Sequence, residues 1–425
     1  MKQKLTVFAL IGLVVLFWGA PAFSADMSEL ERKIDILSDE LDDLKEGDML
    51  KGQRGRSRRF QQPNLVTMFG YGELHLNAPL GAIDDPTELD NHRYVIGVHA
   101  ILSKWIHLTA ELDFEHAAQE LEFEVSYLDF LLSPGFNVRA GVMLAPIGFL
   151  NEYHEPPLFW TTERPLLHQR LIPTTWSMAG VGVLGSPVDG FNYRVYAVGS
   201  LQSIEDNNGS GGSGNGSGGD ASSFSSDGIR SGRHQINKAI ANDFAVTGRM
   251  EFTKLYPGLQ VGVSTYLGDT SQGFIDEGGF MALLEADIQY RKEWFEMNAT
   301  IVNTSIGDTV ELNAFCNRVG HACDGRIAEN QFGFNVQAGV HLPQLMGWKT
   351  TQDVIPHFMF ERVRTQDSND STYTIDRSKN RNQVYTAGVA YLPIPKVSLK
   401  ADYTHERLEN STSTQQFNMS VSYLY

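Results

Sequence analysis

The chain changes rhythm once. From Met27 to Leu44 apolar residues recur at alternating spacings of three and four (Met27, Leu30, Ile34, Leu37, Leu41, Leu44), with Glu, Asp and Lys between them. This is the a/d seam of a coiled coil, and it predicts a self-associating helix over 25–50; a lone amphipathic helix packed on the rest of the chain is the alternative. Gly47 ends the pattern, and KGQRGRSRRFQQP at 51–63 reads as a basic linker. From residue 64 the period drops to two and stays there. Ile106, Leu108, Ala110, Leu112 and Phe114 share one face, and His107, Thr109, Glu111, Asp113 and Glu115 the other. The same split recurs along 280–291 and 397–404.

About sixteen such segments are present, near 65–76, 92–102, 105–116, 120–131, 136–144, 178–186, 190–200, 243–253, 258–268, 280–291, 293–304, 330–341, 352–363, 382–392, 396–408 and 415–425. An even number of strands about ten residues long, each rising roughly 25 Å when tilted, predicts an all-β fold: a transmembrane antiparallel barrel over 64–425. Tight connections such as SPGFN, SPVDG, YPGL and LPIPK alternate with long ones near 77–91, 145–177, 201–242, 305–329 and 364–381, as short periplasmic turns and long outer loops do. Asp129 breaks the pattern by falling in phase with Val125 and Tyr127, which a bulge accommodates. The last residues, FNMSVSYLY, place Phe417, Met419, Val421, Tyr423 and Tyr425 on one face against Asn418, Ser420 and Ser422. Such a strand needs partners on both edges, and pairing with the first strand supplies the missing one.

Composition fixes the compartment. Lys2 and Lys4 precede an apolar run from Leu5 to Trp18 and a small-x-small site at Ala22-Phe23-Ser24, a secretory signal over 1–24. The two lysines leave with it, taking the formal charge from −17 to −19. An acidic chain without a sustained basic face is not a nucleic-acid binder. No other segment has the ~20 consecutive apolar residues of a spanning helix. The chain is then either a soluble exported protein or one that crosses a membrane as a barrel; the sixteen alternating segments favour the barrel, which places it in the outer membrane of a Gram-negative bacterium with lipid around it. Cys316 and Cys323 suit a local disulfide in an oxidising compartment. No C-x-x-C-H, H-E-x-x-H or G-x-S-x-G motif occurs, so no cofactor, metal or catalytic residue is expected. The glycine-serine run at 207–220 lacks the aspartates of calcium-binding repeats and reads as a flexible outer loop.

The connection LAPIGFLNEYHEPPLFWTTERPLLHQRLIPTTWSM is long, aromatic and rich in proline, and its apolar content needs somewhere to pack. Folded into the lumen, it would narrow the pore with Glu152, His154, Glu155, Glu163, Arg164, His168 and Arg170. The stretch RAGVMLAPIGFLNEYHEPPLFWTTERP, together with GYGELH, resembles the phosphate-selective porins of the O and P type. The resemblance implies a trimer of sixteen-stranded channels for small solutes or ions, with the third loop forming the constriction.

Selectivity is a separate matter. The inward faces carry Glu73, Glu111, Asp113, Glu115, Glu122, Glu124, Glu285, Asp287, Asp402 and Glu406, against Arg93, Arg139, Arg194, Arg249, Arg291 and Lys400. That excess predicts a preference for cations or neutral solutes over phosphate, with the cluster from Glu111 to Glu124 as the expected source of the field. Two alternatives remain: an anion-selective channel using Arg139, Arg164 and Arg170, or a sleeve around a periplasmic or surface partner.

Overall fold

The computed structural model describes residues 65–81, 86–205, 223–233, 236, 239–319, 326–372, 374 and 378–425. The expected signal peptide, coiled-coil helix and linker, the glycine-serine run and Cys323 lie outside the described residues; Cys316 is buried on a helix, Thr309–Val319.

Sixteen antiparallel strands close into one barrel. They are β1 (Leu65–Pro79), β2 (Glu88–Ser103), β3 (Ile106–Glu115), β4 (Glu120–Ser133), β5 (Phe136–Leu144), β6 (Ser177–Val188), β7 (Phe191–Gly199) and β8 (Phe244–Tyr256). The second half is β9 (Leu259–Gly268), β10 (Met281–Lys292), β11 (Phe295–Ile306), β12 (Asn330–Val340), β13 (Asp353–Ser368), β14 (Arg381–Ile394), β15 (Val397–Leu408) and β16 (Ser413–Leu424). Each strand pairs with its neighbours in sequence, and β1 with β16, so no edge is left open. Several strands run past their expected ends: β1 reaches Pro79, β2 begins at Glu88 and β13 continues to Ser368. The connection after β12 carries a short helix, Leu342–Met346, of which the alternation gives no sign.

Closure answers why the chain ends as it does. Leu74 stands opposite Val421 and Leu76 opposite Met419. Tyr425 and Gly70 exchange backbone hydrogen bonds of 2.9 and 3.1 Å. Phe417, Met419, Val421, Tyr423 and Tyr425 are exposed on the outer wall, whereas Asn418, Ser420 and Ser422 are buried inside. Trp105, Tyr256, Trp294, Trp348, Tyr423 and Tyr425 are exposed near the short-turn end, the arrangement of an interfacial aromatic girdle. Among the described residues no helix is long and apolar enough to cross a membrane.

Asp129 owes its position to a bulge. Glu111 pairs with Val125 but Leu112 pairs with Phe123, so Glu124 has no partner residue and the phase of β4 inverts there. Leu121 and Phe123 then face outward, while Val125, Tyr127 and Asp129 turn inward. Arg139 on β5 meets Asp129 through two hydrogen bonds of 2.7 and 2.9 Å, its guanidinium 3.8 Å from the Tyr127 ring centre.

Candidate functional site

The loop between β5 and β6 runs across the barrel interior, and none of residues 145–177 is exposed. Its neck is tied by one buried side chain. Asn151 donates to the carbonyls of Ala145 (2.7 Å) and Trp176 (3.3 Å) and accepts from the Trp176 amide (2.9 Å). Beyond the neck the loop makes three short helical turns, Phe149–Glu152, Pro156–Leu158 and Leu166–Arg170. Leu167, Leu171, Ile172 and Trp176 join an apolar cluster with inward residues of the wall, among them Tyr196, Val198, Tyr266, Met281 and Leu283. Trp160 packs separately against Ile355, Ala390 and Leu392. Each buried aromatic or aliphatic side chain contributes about 1.5–3 kcal/mol, enough together to hold an irregular loop in place.

Charged wall residues fix the rest. Glu152 lies 2.8 Å from Arg194 and 3.6 Å from Arg249, a guanidinium also held by Glu251 at 2.9 Å and Asp287 at 2.5 Å. His154 meets Glu124 at 2.7 Å. Glu163 accepts from Asn77 at 3.0 Å and lies 3.0 Å from His75 Nδ1. Burial disfavours charge on Glu163, but the hydrogen bond and positive charge of His75 outweigh it and hold the carboxyl down to about 2. Asp402 accepts from the Thr162 amide at 2.5 Å, and Glu361 from the amides of Leu166 and Leu167 at 3.0 Å each. The Lys400 ammonium donates to the carbonyls of Pro156 (2.7 Å) and Thr161 (2.9 Å). A second connection helps, with Arg230 and Arg233 donating to the carbonyls of Thr174 and Thr175 at 2.7 Å each.

A cavity of about 330 Å³ lies between the loop and the wall of β13–β16, β1 and β2. Six carboxylates line it, from Glu88, Asp90, Glu163, Glu361, Asp402 and Glu406, against the single guanidinium of Arg164; His92 and His116 also line it.

The expected site residues divide accordingly. Of the seven loop residues, Glu163 and Arg164 line the cavity. Glu152 and His154 are turned into wall pairs, and Arg170 stands 3.6 Å from Asp227. Glu155 is half-buried. His168 is a packed ring, 6.2 Å from that of Phe149; burial, with the charge of Arg164, pushes it down to about 3, so it carries no charge at neutral pH. Glu73, Asp113 and Glu115 surround Arg93 at 3.0, 3.8 and 3.1 Å. Glu111 sits within reach of Glu124 and His154. Glu122 and Glu124 line a small separate recess with Arg233, and none of the β3–β4 carboxylates lines the cavity described above. Glu285 and Asp287 are buried around Arg249. The wall acids that do face it, Glu88, Asp90 and Glu361, were missed. The β2 phase set by Arg93 and Val95 inverts where the β1–β2 register shifts, so Asp90 and Glu88 fall in phase with His92 and alternation from Arg93 passes over them; Glu361 continues the inward phase of His357 and Met359.

No family model matches the chain. It is 28% identical over 383 residues to an uncharacterized protein of Aquifex aeolicus strain VF5, covering 87% of this chain and 82% of that one. Solved structures of similar fold include the outer membrane channel DcaP of Acinetobacter baumannii, with a TM-score of 0.54 and 11% identity, covering 87% of this chain and 99% of that one. The anion-selective porin from Comamonas acidovorans gives 0.53 at 12% identity, over 85% and 100% of the two chains. Salmonella typhi OmpF gives 0.53 at 12%, over 85% and 98%. At these identities the likeness is one of fold, and the fold is that of the outer-membrane porin barrels.

Proposed function

We propose that this chain is a porin of the Gram-negative outer membrane, a water-filled channel for passive diffusion of small solutes and ions, narrowed by the loop 145–177 and favouring cations over phosphate. The carrying observation is the cavity of about 330 Å³ with six carboxylates and one guanidinium on its wall. A low-dielectric wall focuses the field of such groups into the lumen and raises the local concentration of counter-ions.

The resemblance to the phosphate-selective porins supports the inward loop and a trimer, to which the heptad seam at 25–50 adds periplasmic contacts. It does not extend to selectivity. Arg139 is clamped by Asp129 and Arg170 faces Asp227, which leaves Arg164 as the one arginine of the three on the cavity. A lumen crossed by its own loop also argues against a sleeve around a partner chain.

Single-channel recording with competing solutes tests the reading. Spermine at low salt should reduce potassium current, and inorganic phosphate should leave the current unchanged. Block of chloride current by phosphate would restore the anion-selective alternative.

A further inference from the structure

Beneath the loop, away from the cavity, three side chains with metal-binding atoms converge. Glu111 of β3 and Glu124 of β4 come from the wall and His154 from the loop, and one ligand atom of each lies within 4.8 Å of the others. Glu124 Oε1 and His154 Nε2 are 2.7 Å apart, both side chains buried. Glu124 Oε1 is buried and receives no hydrogen bond of regular geometry beyond its ion pair with the His154 ring, so it points into the cluster. It points there because the β4 bulge falls on Glu124. The other ring nitrogen, Nδ1, is 3.2 Å from the Asn151 carbonyl. A hydrogen on Nδ1 donates to that oxygen and leaves Nε2 toward the carboxylates, the outer-shell arrangement that orients metal-bound imidazoles. The Tyr71 hydroxyl, 3.2 Å from Glu124 Oε2 and 3.1 Å from His154 Nε2, closes another side.

We propose that Glu111, Glu124 and His154 bind a first-row divalent cation of the Zn²⁺ type, and that the ion clips the loop to the β3–β4 wall. One imidazole with two carboxylates is a donor set that Zn²⁺ takes, and its charge compensates two acids that share a single cationic partner within the cluster. Bonds of about 2.0–2.2 Å set tetrahedral donors about 3.4 Å apart, so the Glu124–His154 pair opens slightly and Glu111 swings in. The proton on Nε2 of the metal-free ion pair passes to solvent, since a ligating imidazole is neutral. This site goes beyond the channel reading and is independent of which solutes pass. A second cluster, Asp90, His92 and His116, meets the same distance criterion, but Arg93 lies 3.2 Å from His92 Nε2 and sets a guanidinium beside it.

The test uses the full-length protein in detergent after chelator treatment. Zn²⁺ is titrated calorimetrically in two buffers of different ionisation enthalpy, and Co²⁺ binding is followed by visible absorption. One tight site with proton release is expected. Affinity should fall by ~100-fold or more in His154→Gln and Glu124→Gln, since outer-shell losses alone reach that range, and should be unchanged in His116→Gln. Heat-modifiable migration verifies each barrel, with Glu111→Gln as a further wall variant should either of the others misfold. Wild-type binding no tighter than that of the cluster variants, or loss of the site in His116→Gln, overturns the proposal. Ion preference does not enter these readouts, so their failure leaves the channel reading standing.

Discussion

Lys400 offers a sharp test of what holds the loop. Its ammonium sits 2.7 and 2.9 Å from the carbonyls of Pro156 and Thr161 and 3.8 Å from the centre of the Phe159 ring, on a side chain only 2% exposed. Lys400→Met keeps most of the stem volume but removes the charge and all three donors. Two carbonyls then lose a charged partner, each such bond contributing about 1.5–3 kcal/mol, and a cation–π contact is lost as well. Relief from burying an ammonium offsets part of this. A net loss of about 2–4 kcal/mol corresponds to a roughly 30- to 900-fold larger population of the undocked loop. Hydrogen exchange in detergent reads that population directly as faster exchange at Leu158 and Thr162, whose amides bond to Glu155 and Asp402. Unitary conductance should become larger or noisier in the same variant. Unchanged exchange and unchanged conductance in a correctly inserted barrel would refute the view that Lys400 anchors the loop.

Removing residues 152–170 with the strand ends joined should raise unitary conductance, because a sixteen-stranded lumen is wide without its inner loop; unchanged conductance would place the narrowest point elsewhere. The Glu163 carboxyl is held down to about 2 in the folded protein against an ordinary value of 4.5, so its contribution to docking is complete above pH 4.5 and disappears as pH falls through about 2. Exchange at 161–164 should therefore be insensitive to Glu163 ionisation between pH 5 and 7 and rise below pH 4 after correction for intrinsic rates; Glu163→Gln should abolish that acid dependence. Deleting 25–50 should leave an inserted barrel whose trimers dissociate more readily in detergent, measured by light scattering; a wild type that runs as a monomer would remove both the seam and the trimer from the account.

The barrel was legible because a two-residue period survives any detail of packing: inward and outward faces are set by the pleat alone. The terminal strand was legible for the same reason, since Phe417 to Tyr425 could face only one way. The long loop betrayed itself by composition, with Phe159, Trp160 and Leu167 unable to remain in water. Its partners could not be read. Ser264, Glu361 and Asp402 receive loop amides from positions 116 to 240 residues away, and only closure of the barrel brings them near. The same holds for charge: of the inward carboxylates counted along the strands, Asp402 and Glu406 line the cavity, whereas the β3–β4 cluster expected to supply the field does not. Glu111, Asp113 and Glu124 are engaged with one another, Arg93 and His154, a matter of cross-strand register and of one bulge. An apolar patch inside the wall left a trace that alternation alone passes over. Met281, Ala282, Leu283 and Leu284 are apolar on both faces of β10, and Met281 and Leu283 are the two that meet the folded loops.

The central claim, an acidic passage that prefers cations, is tested most directly by the reversal potential of the reconstituted protein across a potassium chloride gradient. At about 0.1 M salt the Debye length is ~10 Å, so the cavity carboxylates act across its width, and at molar salt they are screened to a few ångströms. The account predicts a reversal potential of the sign for potassium preference at low salt, shrinking toward zero at molar salt. A chloride preference at low salt would contradict it.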